Sequence, residues 1–432
     1  MARRSVFLVL LLAISFLPAC GKRAGKVNVL LVTIDTTRPD HTSVYGYSRR
    51  TTPNLERWAN GAARFTQATT AMPTTDPSHM TLLTGRYPFR IGVEENSIPM
   101  AESEKSLAVV LKGLGYATAA FVSVRHLGTR GYERGFDVYD FPRQEHQVKG
   151  DATLGKALAW LGDKPREPFF LWVHFFDPHM DYNAPEPYKT MFGADMVARY
   201  DGEIAFADHC AGKLLDRIAA LGLARRTAVV VASDHGEHLE EPVEVAGMPD
   251  YRYHHGNTVQ EYEIRTVLLI RLPGVVTRRT DVGVPAELTD VAPTLLDYLG
   301  VPPPPGVAMD GVSLLPALRA TGRAPRPASF AYTNPARGPW TAARDARWKL
   351  VRDARDRSAR LVDHLADPAE AADRSANAAA DRARLSGELD AWEAAKAKAL
   401  AERPPTNFQY DPETVKMLQS LGYLPTGEPA PK

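Results

Sequence analysis

Residues 73–85, Pro73-Thr74-Thr75-Asp76-Pro77-Ser78-His79-Met80-Thr81-Leu82-Leu83-Thr84-Gly85, combine a hydroxyl, a carboxylate and an imidazole within five positions. Thr75 is a good N-cap type, Pro77 suits a first helical turn and Gly85 is a stop signal. The spacing therefore predicts a short helix beginning just after Thr75. A hydroxyl there sits at the positive helix end, where free N–H groups and the dipole favour an alkoxide or a bound anionic ester. Simple helix capping accounts for Thr75 equally well from this segment alone. Asp35 is ambiguous in the same way, because an aspartate after an apolar strand often caps the next helix. Asp234-His235-Gly236-Glu237 shifts the balance. A carboxylate beside an imidazole makes a hard-to-borderline metal pair, and Gly236 lets the backbone turn sharply. Acidic groups gathered at one strand edge need compensation, which a divalent cation supplies. Asp35, Thr75, Asp234 and His235 together describe a site in which a metal lowers the hydroxyl's pKa and binds a substrate oxygen.

Two further histidine groups follow apolar runs. His174, Asp177, His179 and Asp181 lie within residues 172–182, where several side chains face one pocket or else form a metal-free polar loop. His254-His255-Gly256 follows a stretch containing Gly and Pro. One of these imidazoles is a candidate acid for a leaving group, with a solvated histidine pair as the alternative.

These groups need a frame. Residues 27–34 form a nearly continuous Val/Ile/Leu run ending abruptly at Asp35, the pattern of a strand buried on both faces. Residues 118–122, 169–176, 228–232 and 267–270 read similarly. Between them, Leu154, Leu158 and Leu161 share a helical face, as do Ala207, Leu214, Leu215 and Ile218. Alternating strands and helices predict an α/β fold, a mostly parallel central sheet with helices on both faces. Ligands in such folds bind beyond the carboxyl ends of the strands, where Asp35 and Asp234 fall. Prolines at 302–305, 325 and 327 mark a boundary. After it, residues 348–351 suggest a strand of a small C-terminal α+β subdomain, and 370–401 a helix packing through Leu385, Leu389 and Trp392.

The organisation expected is a leader at 1–20, a tether at 21–26, a catalytic domain at 27–325, a subdomain at 326–404 and a mobile tail at 405–432. Arg3 and Arg4 precede an apolar stretch, 6–17, that is shorter than the roughly 20 residues of a spanning helix. Leu17, Ala19 and Cys20 resemble a bacterial lipobox, although Pro18 is unusual there. The expectation is a lipoprotein of the bacterial cell envelope, facing the periplasm or exterior and anchored in the membrane through acylated Cys20. Cys210 is then the one thiol left, so no intrachain disulfide forms. With 52 Lys plus Arg against 51 Asp plus Glu, nothing electrostatic argues for a nucleic-acid partner.

The motifs resemble the sulfatase-like branch of the alkaline phosphatase superfamily. The resemblance rests on residues 29–46 (VLLVTIDTTRPDHTSVYG), Thr52-Pro53-Asn54, 75–88, 176–182 (FDPHMDY), 200–207, 233–237 (SDHGE), His255-Gly256, 290–300 (DVAPTLLDYLG) and 309–316. It implies that Asp35, Asp234 and His235 hold a divalent metal cation, with Thr36 at a position where many sulfatases carry a second aspartate. Ca2+ follows from sulfatases, and Zn2+ or Mn2+ from the diesterases. His255 falls where a cationic residue contacts the transferred group, and His179 where a histidine lines the pocket. Sulfatases read Cys-x-Pro-Ser-Arg, with the cysteine oxidised to formylglycine. This chain reads Thr75-Asp76-Pro77-Ser78-His79, so the formylglycine cycle is closed to it. Thr-x-Pro-Ser/Asn-His instead resembles nucleotide pyrophosphatase/phosphodiesterases, with Thr75 as nucleophile. His79 then takes the place of the arginine that steadies the substrate's charge. The expectation is hydrolysis of a sulfuric or phosphoric ester, with an anionic ester of a glycan or lipid headgroup as the substrate. A phosphoryl-headgroup transferase and a non-catalytic lipoprotein that binds anionic glycan are the alternatives.

Overall fold

The computed structural model describes residues 27–242, 245, 248, 250–319, 326–403 and 408–420. The expected leader, Cys20, the tether and Pro325 lie outside the described residues. Among the described residues no helix is long and apolar enough to cross a membrane.

The strands are β1 Asn28–Ile34, β2 Ala63–Phe65, β3 Ala68–Thr69, β4 Ala117–Val122, β5 Val138–Asp140, β6 Phe169–Phe175, β7 Thr227–Ser233, β8 Leu268–Arg271, β9 Thr280–Val282 and β10 Ala286–Glu287, followed by β11 Ser329–Tyr332, β12 Trp340–Arg344, β13 Trp348–Asp353 and β14 Ala359–Asp363. Eight of them form one sheet in the order β5-β4-β6-β1-β7-β8-β2-β9. From β5 through β7 all neighbours are parallel, and β8 is antiparallel to both β7 and β2. This is the mostly parallel α/β sheet that the apolar runs predict.

Side chains of a strand alternate between faces, and β1 shows the consequence. Val29 and Leu31 pack with Leu82, Leu83, Leu107 and Leu295 on one face. Leu30, Val32 and Ile34 pack with Leu154, Leu161 and Leu214 on the other. Each such fully buried side chain contributes roughly 1.5–3 kcal/mol, so β1 is rigid on both sides up to the residue that precedes Asp35.

Strands β11 to β14 make the small antiparallel sheet of the C-terminal unit. The helix Ala379–Glu402 covers it with Leu385, Leu389 and Trp392, and the same cluster takes in Tyr87 and Phe89. That helix starts later than residue 370 because Asp373 and Ser375 form a turn, the Asp373 carboxylate accepting the Ser375 N–H at 2.8 Å. Residues 412–420, expected in a mobile tail, form the helix Pro412–Ser420. Its Met417 and Leu418 are buried, and Tyr410 Oη donates to the Asn96 carbonyl at 2.9 Å.

Candidate active site

Parallel register places the ends of three strands side by side: Ile34 is level with Phe175 on β6 and with Ser233 on β7. The next residue on β1 is Asp35 and the next on β7 is Asp234, so sheet pairing alone makes them neighbours. The Asp35 N–H continues the ladder to the Phe175 carbonyl at 2.9 Å. Asp234 Oδ1 accepts two backbone N–H groups, from Thr36 at 3.0 Å and from His235 at 2.8 Å. Thr36 gives its N–H from a left-handed conformation, φ 44°.

Ligand atoms from Asp35, Asp234 and His235 lie within 4.8 Å of one another, and all three residues are buried. Asp35 Oδ2 meets His174 Nε2 at 3.3 Å, and Asp234 Oδ2 meets His235 Nε2 at 3.3 Å. Asp35 Oδ1 and Asp234 Oδ2 accept no hydrogen bond from the described protein atoms, and neither does the buried Thr36 hydroxyl. Burial and the adjacent Asp234 hold the Asp35 carboxyl well above the ordinary carboxylate range. Burial lifts Asp234 to about 7. Two crowded carboxyls, an imidazole and oxygen atoms without donors fit a divalent cation, whose charge would offset both shifts.

Thr75 faces this cluster, with Oγ1 3.4 Å from His235 Nε2. The His235 Nδ1–H donates to the Gly236 carbonyl at 2.8 Å, which directs the Nε2 lone pair toward Thr75 and Asp234. Thr75 is the first residue of the helix Thr75–Thr84, and Thr74 takes the cap position, one residue earlier than the sequence suggests. Beyond Thr75's own N–H, the first-turn N–H groups expected at this helix end are already engaged. The Asp76 N–H donates to Asn96 Oδ1 at 2.8 Å, Pro77 has none, and the Ser78 N–H goes to the Thr74 carbonyl. For charge on a group bound at Thr75, the donor set of Asp35, Asp234 and His235 is where a cation fits.

His79 belongs to the same helix, and its Nδ1 lies 3.6 Å from Asp234 Oδ2. Trp172 Nε1 donates to Thr33 Oγ1, Thr33 to His79 Nε2 at 3.0 Å, and His79 Nδ1 to the Thr75 carbonyl at 2.8 Å. Burial lowers its pKa to about 4, so it is neutral at pH 7 and does not replace an arginine's charge. Its observed contacts anchor the backbone of Thr75.

The opposite wall is a row of imidazoles. The His179 ring stacks on Phe176 at 4.4 Å and meets the edge of His255 at 5.2 Å, and His255 lies 4.2 Å from His235. Glu237 Oε1 sits 3.0 Å from His255 Nδ1 and orients that ring. Burial raises Glu237 to about 8 and holds His255 well below its ordinary value. The group at 174–181 divides. His174 and His179 border the site. Asp177 turns away to accept the Gly150 N–H at 2.9 Å, and Asp181 is exposed. His254 pairs through its backbone with His238 instead.

The sequence reading gave no role to His126, whose Nδ1 lies 2.5 Å from Asp76 Oδ1. Its signal was present, because His126 follows β4 at the same sheet edge as Asp35. A cleft of about 1180 Å3 lies on the far side of His126 and Ser97, and its lining includes none of Asp35, Thr75, Asp234 or His235. The remaining motifs frame the site. Tyr200 Oη donates to the Thr36 carbonyl at 2.6 Å, and Asp208 accepts the N–H groups of Asn54 and Leu55.

Fold and site define a class: an α/β protein whose parallel strand ends gather carboxylates, histidines and a hydroxyl. Residues 27–301 match the sulfatase family, and residues 249–391 match the family described as N-sulphoglucosamine sulphohydrolase, C-terminal. The first match spans well over half of the chain, and the protein belongs to the sulfatase family, in the sulfatase-like branch of the alkaline phosphatase superfamily. It is 27% identical over 338 residues to an ulvan-active sulfatase of Formosa agariphila, covering 67% of this chain and 65% of that protein. It is 28% identical over 345 residues to human N-acetylgalactosamine-6-sulfatase, with the same coverage. The chain thus spans a little under two thirds of the length of these relatives. The phosphonate monoester hydrolase of Agrobacterium radiobacter shares its fold, with a TM-score of 0.72 at 22% identity over 90% of this chain and all of that one.

Proposed function

We propose that this protein hydrolyses a sulfuric or phosphoric ester, with Thr75 as nucleophile beside a divalent cation held by Asp35, Asp234 and His235. The observation that carries the reading is the approach of Thr75 Oγ1 to His235 Nε2, 3.4 Å, inside the Asp35–Asp234–His235 group. A bound cation supplies charge neutralisation and Lewis acidity at that point. Thr36 completes the donor set through its buried hydroxyl, and His174 orients Asp35. Ca2+, Zn2+ and Mn2+ are the candidates, since two carboxylates and one imidazole suit a hard or borderline ion.

Thr75, its hydroxyl proton released to solvent as a bound cation would favour, forms the Oγ bond to phosphorus or sulfur while the bond to the leaving-group oxygen breaks. His255 delivers a proton from Nε2 to that oxygen while Glu237, still protonated with its pKa raised to about 8, returns one to Nδ1, and His179 packs its flank. Water then cleaves the threonine ester. That second step cannot use a formylglycine hydrate, which favours phosphodiesters or phosphonate esters over sulfate esters. Anionic esters of glycans or lipid headgroups are the substrate class, and a lipid anchor at Cys20 places the reaction at the bacterial cell envelope.

The test compares chromogenic phosphonate, phosphodiester and sulfate esters on metal-loaded wild type and Thr75→Ala. The reading expects turnover of at least one class, lost by on the order of 10^3-fold or more in Thr75→Ala with bound metal unchanged. Full turnover by Thr75→Ala removes the nucleophile assignment.

A further inference from the structure

The C-terminal sheet reaches the site through one hairpin, the turn between β11 and β12. Asn334 Nδ2 donates to the Glu94 carbonyl at 2.9 Å. Arg337 donates from Nε and Nη2 to both Glu95 carboxylate oxygens, at 2.6 and 2.9 Å. Asn257 Nδ2 donates to the Arg337 carbonyl at 3.0 Å. The hairpin therefore joins two walls of the site. One wall runs from Glu95 to Asn96, whose side chain holds the Asp76 N–H beside Thr75. The other runs from His255 through Gly256 to Asn257.

Gly256 reports how close these parts come. Its φ of +91° favours glycine, and a β-carbon added there would lie 3.2 Å from Thr74 Oγ1 and 3.5 Å from Arg337 Nη1. The guanidinium thus stands across a single glycine from the residue that precedes Thr75. It is mostly buried, 10% exposed, as is its partner Glu95 at 11%. The groups expected to meet the transferred phosphoryl or sulfuryl group lie on the strand edge at Asp35, Asp234 and His235. Arg337 comes from a different unit and a different side, next to the loop of the proposed leaving-group acid.

A guanidinium recognises carboxylate, sulfate or phosphate through paired N–H groups, and a fixed one discriminates more sharply than a mobile lysine. We propose that Arg337 is a specificity-determining residue, selecting esters whose leaving group carries a second anionic group, with Glu95 as the positioning residue that holds the guanidinium. The proposal rests on the ester-hydrolase reading above and names the substrate class within it. Glu95 orients Arg337 and competes for the same N–H groups; a glutamine there keeps one accepting oxygen to orient the guanidinium and removes the competing charge.

The experiment uses the full metal-loaded chain and two esters of the same transferred group, with 4-nitrophenol or 3-carboxy-4-nitrophenol leaving. The readout is the ratio of kcat/KM for the carboxylated ester over the neutral one. Arg337→Ala lowers this ratio at least tenfold, Arg337→Lys lowers it less, and Glu95→Gln raises it because the guanidinium loses a competing carboxylate. A ratio within twofold of wild type in Arg337→Ala overturns the proposal, whatever the two separate rates do. A fall of the ratio in Glu95→Gln overturns it too. Thermal melts of each variant accompany the rates, and Arg337→Lys and Glu95→Gln carry the test if Arg337→Ala unfolds. If wild type turns over neither ester with Ca2+, Mn2+ or Zn2+, the ester-hydrolase reading itself falls, and the specificity assignment with it.

Discussion

Two buried polar clusters in this molecule have opposite electrostatics. At the junction with the C-terminal unit, Glu261 lies 2.9 Å from Arg344 Nε and 3.4 Å from Lys349 Nζ, and Glu370 shares that lysine. Against the cost of burial, Arg344 and Lys349 hold Glu261 well below its ordinary pKa, while burial lifts Glu370. At the strand edge, Asp35 and Asp234 are buried beside three neutral imidazoles, and both carboxyls are pushed up. A buried carboxylate is tolerated when the chain supplies its counter-charge, as it does for Glu261. Where the chain places two carboxylates together and, among the described residues, gives them no cationic side chain, they keep a proton or take a counter-charge from outside. The first cluster is architecture and the second is the proposed binding site.

Substitutions separate the two. Glu261→Ala strands Arg344 and Lys349 and is expected to cost about 3–5 kcal/mol in chemical denaturation, with metal binding retained. Asp35→Asn acts in the reverse sense. It relieves crowding and raises the melting temperature of metal-free protein, while weakening metal affinity by on the order of 100-fold in a calorimetric titration.

The pH dependence of stability also differs in sign. The raised carboxyls at the strand edge bind protons in the folded state that the unfolded chain has already lost. Their contribution therefore declines as pH rises from about 4 through about 7, where Asp234 titrates. In thermal melts, Asp35→Asn is therefore expected to gain stability over metal-free wild type more at pH 8 than at pH 5.5, a difference that cancels the opposite contribution of the buried imidazoles common to both proteins. For Glu261, whose folded pKa is depressed, the contribution is present above its ordinary value and lost in acid. Glu261→Gln is expected to flatten the acid limb of the stability profile only.

The smallest expected effect belongs to His79. His79→Ala leaves the Thr75 carbonyl and the Thr33 hydroxyl without their partner, for roughly 1–3 kcal/mol in stability. Its kcat changes far less than that of Thr75→Ala, because neutral His79 anchors the backbone and carries no charge to the substrate.

Apolar runs revealed most of the sheet, because β1, β6 and β7 are buried on both faces and show no alternation that could be mistaken for another pattern. Their parallel order then placed Asp35 and Asp234 together, which made the acidic pair legible before any contact was known. Side-chain direction was not legible. His79 and Thr75 are four residues apart on one helix, and the sequence cannot tell that the imidazole turns back to its own backbone. The occupied N–H groups of the first turn depended on Asn96, a long-range partner with no local signature. Arg337 was hidden for the same reason, since its link to Glu95 spans the two units of the fold.

The most direct test of the central claim is a calorimetric titration of metal-stripped wild type and Asp234→Ala with Ca2+, Mn2+ and Zn2+, each in two buffers of different ionisation enthalpy. Wild type is predicted to take up one cation per chain with release of protons, and Asp234→Ala to take up none at that site. Equal uptake by both proteins, or none by wild type, contradicts the assignment of the strand edge as a metal centre.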